Sequence, residues 1–323
     1  MTPQLERCRL ERRIFRAVGT TCLAAVTTRD GELRLARAAL DAAVREVEAC
    51  ERALSRFDAA SDLSRLNAGA GTWVAVDVRL REALRLALRA RAATGGRFDP
   101  TILPALAAAG YDRSFEQIEA RPPRRLEHWR PGAAVEVGDD GRARVVRGAA
   151  VDLGGIGKGY AADRALAAMR SAWPRLPGAL VDLGGDVALA GETPEGGPWR
   201  IDVGDPHHPP AVLGRLAVCG GGIATSGRAV RRFGPGGALH HLIDPATGAP
   251  AVPGPLAVTV VARDAAEAEA HATALAIASD DEAAAHVRRN PHVAALVVPQ
   301  AGAPRILGEL PLVRRTVVVR AAA

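Results

Sequence analysis

Three short stretches of this 323-residue sequence carry residue types whose spacing suits chemistry on a phosphate-rich molecule. The first, Gly154-Gly155-Ile156-Gly157-Lys158-Gly159-Tyr160, leads into a helical pattern from Ala161 to Trp173. A glycine loop that opens a helix presents free N–H groups and the positive end of the helix dipole, so phosphate is its natural guest, and Lys158 adds a point charge. It is no Walker A loop, because Lys158 is followed by glycine rather than Ser or Thr, and it is no GxGxxG dinucleotide fingerprint. A tight turn with nothing bound remains open on these residues alone.

The second stretch is Thr225-Ser226-Gly227, followed by His240-His241-Leu242-Ile243-Asp244-Pro245-Ala246-Thr247-Gly248. A histidine just before an Asp-Pro-x-Thr-Gly turn sits on a rigid strand end, a suitable place for a general base. The paired histidines lack both an HExxH context and a third ligand at helical spacing, so zinc is not indicated there. Taken singly, either histidine is more commonly structural. The third stretch is Glu269-Ala270-His271-Ala272-Thr273, where positions i and i+4 share a helix face. A carboxylate and a hydroxyl converging there, completed by water, are what magnesium prefers, although such pairs also commonly just face solvent.

Composition narrows the partners. Hydrophobic residues make up 48% of the chain, enough for a folded core. Net charge is +6, and Lys158 is the one lysine among 42 basic residues. A compact ammonium kept where every other basic position is arginine fits a site too tight for a planar guanidinium, and chance explains it as well. The arginines are spread along the chain and aromatic residues are 3% of it, which leaves few stacking platforms and argues against nucleic acid. Cys8, Cys22, Cys50 and Cys219 form neither a CxxC pair nor a His/Cys cluster, so no zinc site or disulfide framework is expected. No stretch approaches the roughly 18 uncharged apolar residues of a membrane span. The charged N-terminal segment lacks the apolar centre of a secretory signal, which makes the cytoplasm the expected location.

Periodicity supplies the elements that position these groups. Residues 31–57 place Leu33, Ala36, Leu40, Val44, Val47 and Leu54 at three- and four-residue intervals, and residues 78–93 repeat the pattern, so both predict amphipathic helices. Residues 264–278 and 281–289 predict two more, with Asp264 and Asp281 as caps. Residues 133–148 alternate around Gly138-Asp139-Asp140-Gly141, a hairpin signal. Late strands are expected at 293–299 and 316–320, and the Arg-Pro-Pro-Arg-Arg run at 121–125 is a surface connection. VDLGG occurs at 151–155 and again at 181–185, each read as an apolar strand entering a glycine turn whose amides can approach an extended anion. The expected architecture is α+β, with largely antiparallel sheets flanked by helices. One catalytic domain over residues 13–323 is expected, after a short extension at 1–12.

Taken in order, these pieces resemble the FAD:protein FMN transferases, the ApbE-type family. The matching runs are VGTTC at 18–22, LSRFDAASDLSRLN at 54–67, GGRFDPTILPAL at 95–106, VDLGGIGKGYAADRA at 151–165, LVDLGGDVALAG at 180–191, WRIDVGDP at 199–206, IATSG at 223–227, HHLIDPATGAP at 240–250 and AEAHATAL at 268–275. The resemblance implies an ApbE-like, T-fold-like architecture with FAD in a cleft and Mg²⁺ beside its pyrophosphate. It implies FAD contacts at Val18, Phe57, Arg97, Phe98, Asp99, Asp152, Lys158 and Ile243. It further implies metal ligation by the Gly155 carbonyl, Glu269 and Thr273, and catalysis by His241 with Lys158. Glu269 stands where the family usually has Asp, Arg97 where a small residue precedes Phe-Asp, and Arg228 where an acidic residue is common. The implied partners are FAD and an acceptor flavoprotein offering a Thr or Ser hydroxyl. Two other functions share these residues: an FAD pyrophosphatase releasing FMN and AMP, and a non-catalytic FAD-binding protein.

Overall fold

Nearly continuous runs of Ala, Val and Leu, buried on both faces, make the middle of a nine-stranded sheet. The computed structural model describes residues 8–118, 122–124, 126, 129–228, 232–237, 239–252, 254–315 and 320–321. Across the sheet the strands run Arg9–Ala17, Thr20–Thr28, Gly178–Leu183, Val187–Gly191, Gly220–Gly227, Ala257–Ala262, Ala294–Val298, Arg305–Leu307 and Arg320–Ala321. Every pairing is antiparallel except the last. The first strand starts at Arg9, so residues 9–12, expected in an N-terminal extension, belong to the sheet. Of the late strand expected at 316–320, residues 316–319 lie outside the described residues. The Arg-Pro-Pro run at 121–125 is described only at Pro122, Pro123 and Arg124, which are exposed as a surface connection requires.

The helices are α1 (Leu33–Leu54), α2 (Asp62–Ala68), α3 (Val78–Ala93), α4 (Leu103–Ala109), α5 (Gly157–Ala172), α6 (Ala265–Leu275) and α7 (Asp280–Arg289). α1, α5 and α6 cover one face of the large sheet. The other face packs on a three-stranded sheet of Trp199–Gly204, Val212–Val218 and Leu312–Arg315. The expected hairpin forms from Val135–Val137 and Arg142–Val145. α7 starts on Ser279 rather than Asp281, because Ser279 and Glu282 cap each other reciprocally and take up two end amides.

α6 is buried almost all round, which is why it is built of alanine: it lies between α5, α3 and the strands Gly220–Gly227 and Ala257–Ala262. Its N-terminus is gripped by backbone on two sides. A Cβ at Gly159 of α5 would fall 2.2 Å from Ala265 O, and one at Gly222 would fall 2.1 Å from Ala265 N. The Asp163 carboxylate, from α5, accepts from Ala265 N and Ala266 N, each at 2.9 Å, and Asp264 accepts from Glu267 N. Gly159→Ala therefore forces α5 and α6 apart and is expected to cost about 1–3 kcal/mol of stability, the range for overpacking a core. Denaturant unfolding checks this, with the midpoint falling.

Candidate functional site

The helix that carries the lysine starts earlier than its sequence suggests. Leu153 O accepts from both Ile156 N (3.1 Å) and Gly157 N (2.7 Å), so the glycine run winds directly into the first turn of α5. Lys158 is therefore on the helix itself, and the Gly159 N–H donates to Glu269 Oε2 at 2.8 Å. The Lys158 ammonium contacts Asp186 and lies 3.4 Å from Glu269 Oε1. Asp186 and Glu269 are both buried.

One helical turn beyond Glu269, Thr273 faces Gly155. A Cβ at Gly155 would stand 2.9 Å from Thr273 Oγ1 and 3.2 Å from Phe98 Cε2, so only glycine fits without displacing the hydroxyl. Ser226 Oγ lies 3.3 Å from Thr273 Oγ1. Four residues expected to share a site, Gly155, Lys158, Glu269 and Thr273, are thus brought together, and Phe98 packs beneath them. Burial pushes the Glu269 carboxyl above the usual carboxylate range, opposed by the Lys158 ammonium and the Gly159 N–H. Two buried carboxylates around one ammonium leave a net negative site lined by hard oxygens, which fits a magnesium-type cation.

Asp152 lies in a neighbouring cluster. Its Oδ1 is 2.9 Å from Arg56 Nε, with both side chains nearly enclosed, and its Oδ2 accepts from Gly154 N at 3.0 Å. The Arg56 guanidinium lies over the rings of Phe57 (4.2 Å) and Tyr111 (4.5 Å). Tyr111 in turn meets Phe233, with ring centroids 5.7 Å apart, in an apolar cluster that includes Ile243. Phe57, half exposed, and Ile243, buried, are thereby ends of one aromatic and aliphatic wall. The first VDLGG is not a ladder strand as expected. The Asn67 amide takes the place of a partner strand, accepting from Val151 N at 2.7 Å and donating to Val151 O at 2.9 Å.

Val18 occupies the two-residue turn between the first two strands with φ 47°, the one non-glycine residue in the left-handed region among the described residues. A β-branched side chain resists that conformation. Its N–H donates to Glu51 Oε1 at 2.8 Å, which fixes the turn against α1.

Two residues expected as ligand contacts also have partners within the protein. The Asp99 side chain is fully enclosed and accepts from Thr101 N, Thr101 Oγ1, Gly132 N and Arg91 Nε, which shapes the loop bearing Phe98. Arg97 is ion-paired to Glu282 of α7. Arg228, in the position noted for a missing acid, is buried, and its Nη2 lies 3.4 Å from Ala276 O. Of the two histidines, His240 is buried with Nε2 3.0 Å from the Ala251 carbonyl. A carbonyl only accepts, so that nitrogen carries the proton and His240 is structural. His241 is half-buried at the bend before Ile243–Asp244.

Sequence reasoning missed Asp186 and Arg56. The residue after the second VDLGG echo, Asp186, was the available signal, since only a folded turn brings it to Lys158. Arg56 sits inside the quoted run at 54–67, where its type does not stand out in so arginine-rich a chain.

The ApbE family profile matches residues 18–297. An FAD:protein FMN transferase of Treponema pallidum (strain Nichols) is 31% identical over 304 residues, covering 87% of this chain and 82% of that protein. One from Escherichia coli K12 is 28% identical over 255 residues, covering 76% and 72%. Among solved structures, the ApbE protein of Thermotoga maritima MSB8 superposes with TM-score 0.78 at 29% identity, covering 92% of this chain and 96% of that one. The apo flavinyl transferase ApbE of Pseudomonas stutzeri gives TM-score 0.75 at 21% identity, covering 94% and 97%. The chain belongs to the ApbE family.

Proposed function

We propose that the chain transfers the FMN half of FAD onto a Ser or Thr hydroxyl of an acceptor protein, releasing AMP. The observation that carries this is the meeting of Gly155, Thr273, Glu269 and Lys158 where the glycine turn and α5 pack on α6. Glu269, Thr273 and the Gly155 carbonyl would hold Mg²⁺, which when bound neutralises the pyrophosphate and the charge moving toward AMP. Lys158 on the first turn of α5 directs its ammonium and the helix N-terminus toward the same charge. Asp186 orients that ammonium. Phe57, Tyr111 and Ile243 offer an apolar wall for the flavin, stiffened by the Arg56–Asp152 pair.

The acceptor hydroxyl oxygen attacks the phosphorus on the FMN side. The new O–P bond forms as the bridging P–O bond to AMP breaks, the hydroxyl proton passes to His241, and AMP leaves with the bridging oxygen. The FAD-handling side of the chemistry follows the names of the relatives, the metal and the residue roles are those the family resemblance implies, and the proximity of Gly155 to Thr273 and of Lys158 to Glu269 supports them. Incubation with FAD, Mg²⁺ and a flavoprotein subunit bearing a target Thr or Ser tests it. Covalent flavin fluorescence on a denaturing gel, lost on EDTA and restored by Mg²⁺, is expected. FMN release without labelled acceptor, or labelling indifferent to EDTA, contradicts it.

A further inference from the structure

The face of α6 opposite Glu269 and Thr273 carries a second group of metal-type ligands. Glu267 and His271 are four residues apart and share that face, and His292 projects from the turn that precedes the strand Ala294–Val298. One ligand atom from each lies within 4.8 Å of the other two. Glu267 Oε1 is 2.9 Å from His292 Nε2 and 4.0 Å from His271 Nε2. His271 is buried, and the side chains of Glu267 and His292 are 18% and 31% exposed, so an ion entering from solvent meets all three. Behind them His271 Nδ1 lies 2.7 Å from His286 Nε2 on α7, the outer hydrogen bond that fixes the ring of a metal-ligating histidine.

The local hydrogen bonding also points to a cation. His292 Nε2 has an acceptor-only carboxylate at 2.9 Å and the donor-only guanidinium of Arg263 at 3.3 Å, and one ring nitrogen cannot satisfy both. Arg263 Nη2 is also 2.7 Å from Glu267 Oε1, and its side chain is 69% exposed. A second contact, Arg263 Nε to Glu267 Oε2 at 3.2 Å, completes a two-point ion pair, so the guanidinium stands where a cation is wanted and an entering ion displaces it. An ion there takes the nitrogen lone pairs and the carboxylate together.

We propose that Glu267, His271 and His292 form a second metal site, selective for a late first-row divalent ion such as zinc, with water completing the shell. Two imidazoles and one carboxylate disfavour magnesium, so the two faces of α6 sort their ions by ligand chemistry. The bound ion ties α6 to the turn after α7 and so braces the helix that carries Glu269 and Thr273.

The test is a Co²⁺ titration of the full-length, chelator-stripped protein in excess Mg²⁺, which keeps the oxygen-lined site filled. One equivalent of Co²⁺ is expected, with the intense visible bands of a four-coordinate ion, displaced by Zn²⁺ and retained in Thr273→Ala. His292→Ala, at an exposed turn, is expected to weaken binding by at least about 100-fold, the upper end for losing even an outer-shell partner. Arg263→Ala is expected to tighten it. No Co²⁺ uptake under these conditions, uptake unchanged in His292→Ala, or a signal lost in Thr273→Ala would overturn the proposal.

Discussion

Glu269→Gln is expected to lower FMN transfer by at least about 10³-fold, the several kcal/mol that a catalytic metal supplies, while leaving the fold as stable or more so. Glutamine keeps the volume and an oxygen for the Gly159 N–H, so the junction of α5 and α6 persists. It removes the negative charge that burial penalises. The sign for stability follows from the raised carboxyl: the folded state holds the proton more tightly than the unfolded chain. Without metal, ionised Glu269 therefore weighs against folding as pH rises above the ordinary carboxylate range. The neutral amide relieves that penalty. Transfer rate at saturating FAD, beside a thermal melt, separates the outcomes. Loss of activity with a melting temperature equal to or above the parent's supports ligation. Parallel loss of both would assign Glu269 to packing.

His241→Ala is expected to lower kcat by about 10²–10⁴-fold, the usual contribution of a positioned general base, with the dissociation constant for FAD nearly unchanged. Its neighbour supplies the control. His240 is buried, its ring donates to Ala251 O, and burial pushes its pKa down, so it stays neutral and structural. His240→Ala should therefore lower stability first, by leaving the Ala251 carbonyl without its donor. His241→Ala should instead lower kcat first, because the acceptor hydroxyl loses the base that takes its proton. A kcat unchanged in His241→Ala would take His241 out of the reaction.

How much of this was legible in the sequence depended on whether local rules or tertiary contacts decided each element. α3 spans Val78–Ala93 as its periodicity predicts, because Asp77 accepts from Arg79 N and Leu80, Ala83, Leu84 and Ala87 fill one face. The Glu269–Thr273 pair was readable because i,i+4 spacing on a helix is a local property. The start of α5 was not, since glycine disfavours helix. Here the close approach of Gly159 to Ala265 rewards the residue that propensity rejects. Likewise VDLGG reads as a strand at both positions, yet only the second finds a partner strand. The first is held by the Asn67 amide, a long-range contact that no local pattern announces. The partners of Asp99 and Arg97 mark the same limit: Gly132 and Glu282 are distant in sequence, and no local pattern pairs them.

In the proposed reaction the lysine-bearing turn and α6 share one divalent cation. Anomalous diffraction from crystals soaked with Mn²⁺ and FAD tests it most directly, since manganese takes the same oxygen ligands as magnesium. An anomalous peak is expected within bonding distance of the Gly155 carbonyl, Glu269 and Thr273. An ordered FAD with no peak there, or with its pyrophosphate far from Lys158, would contradict it.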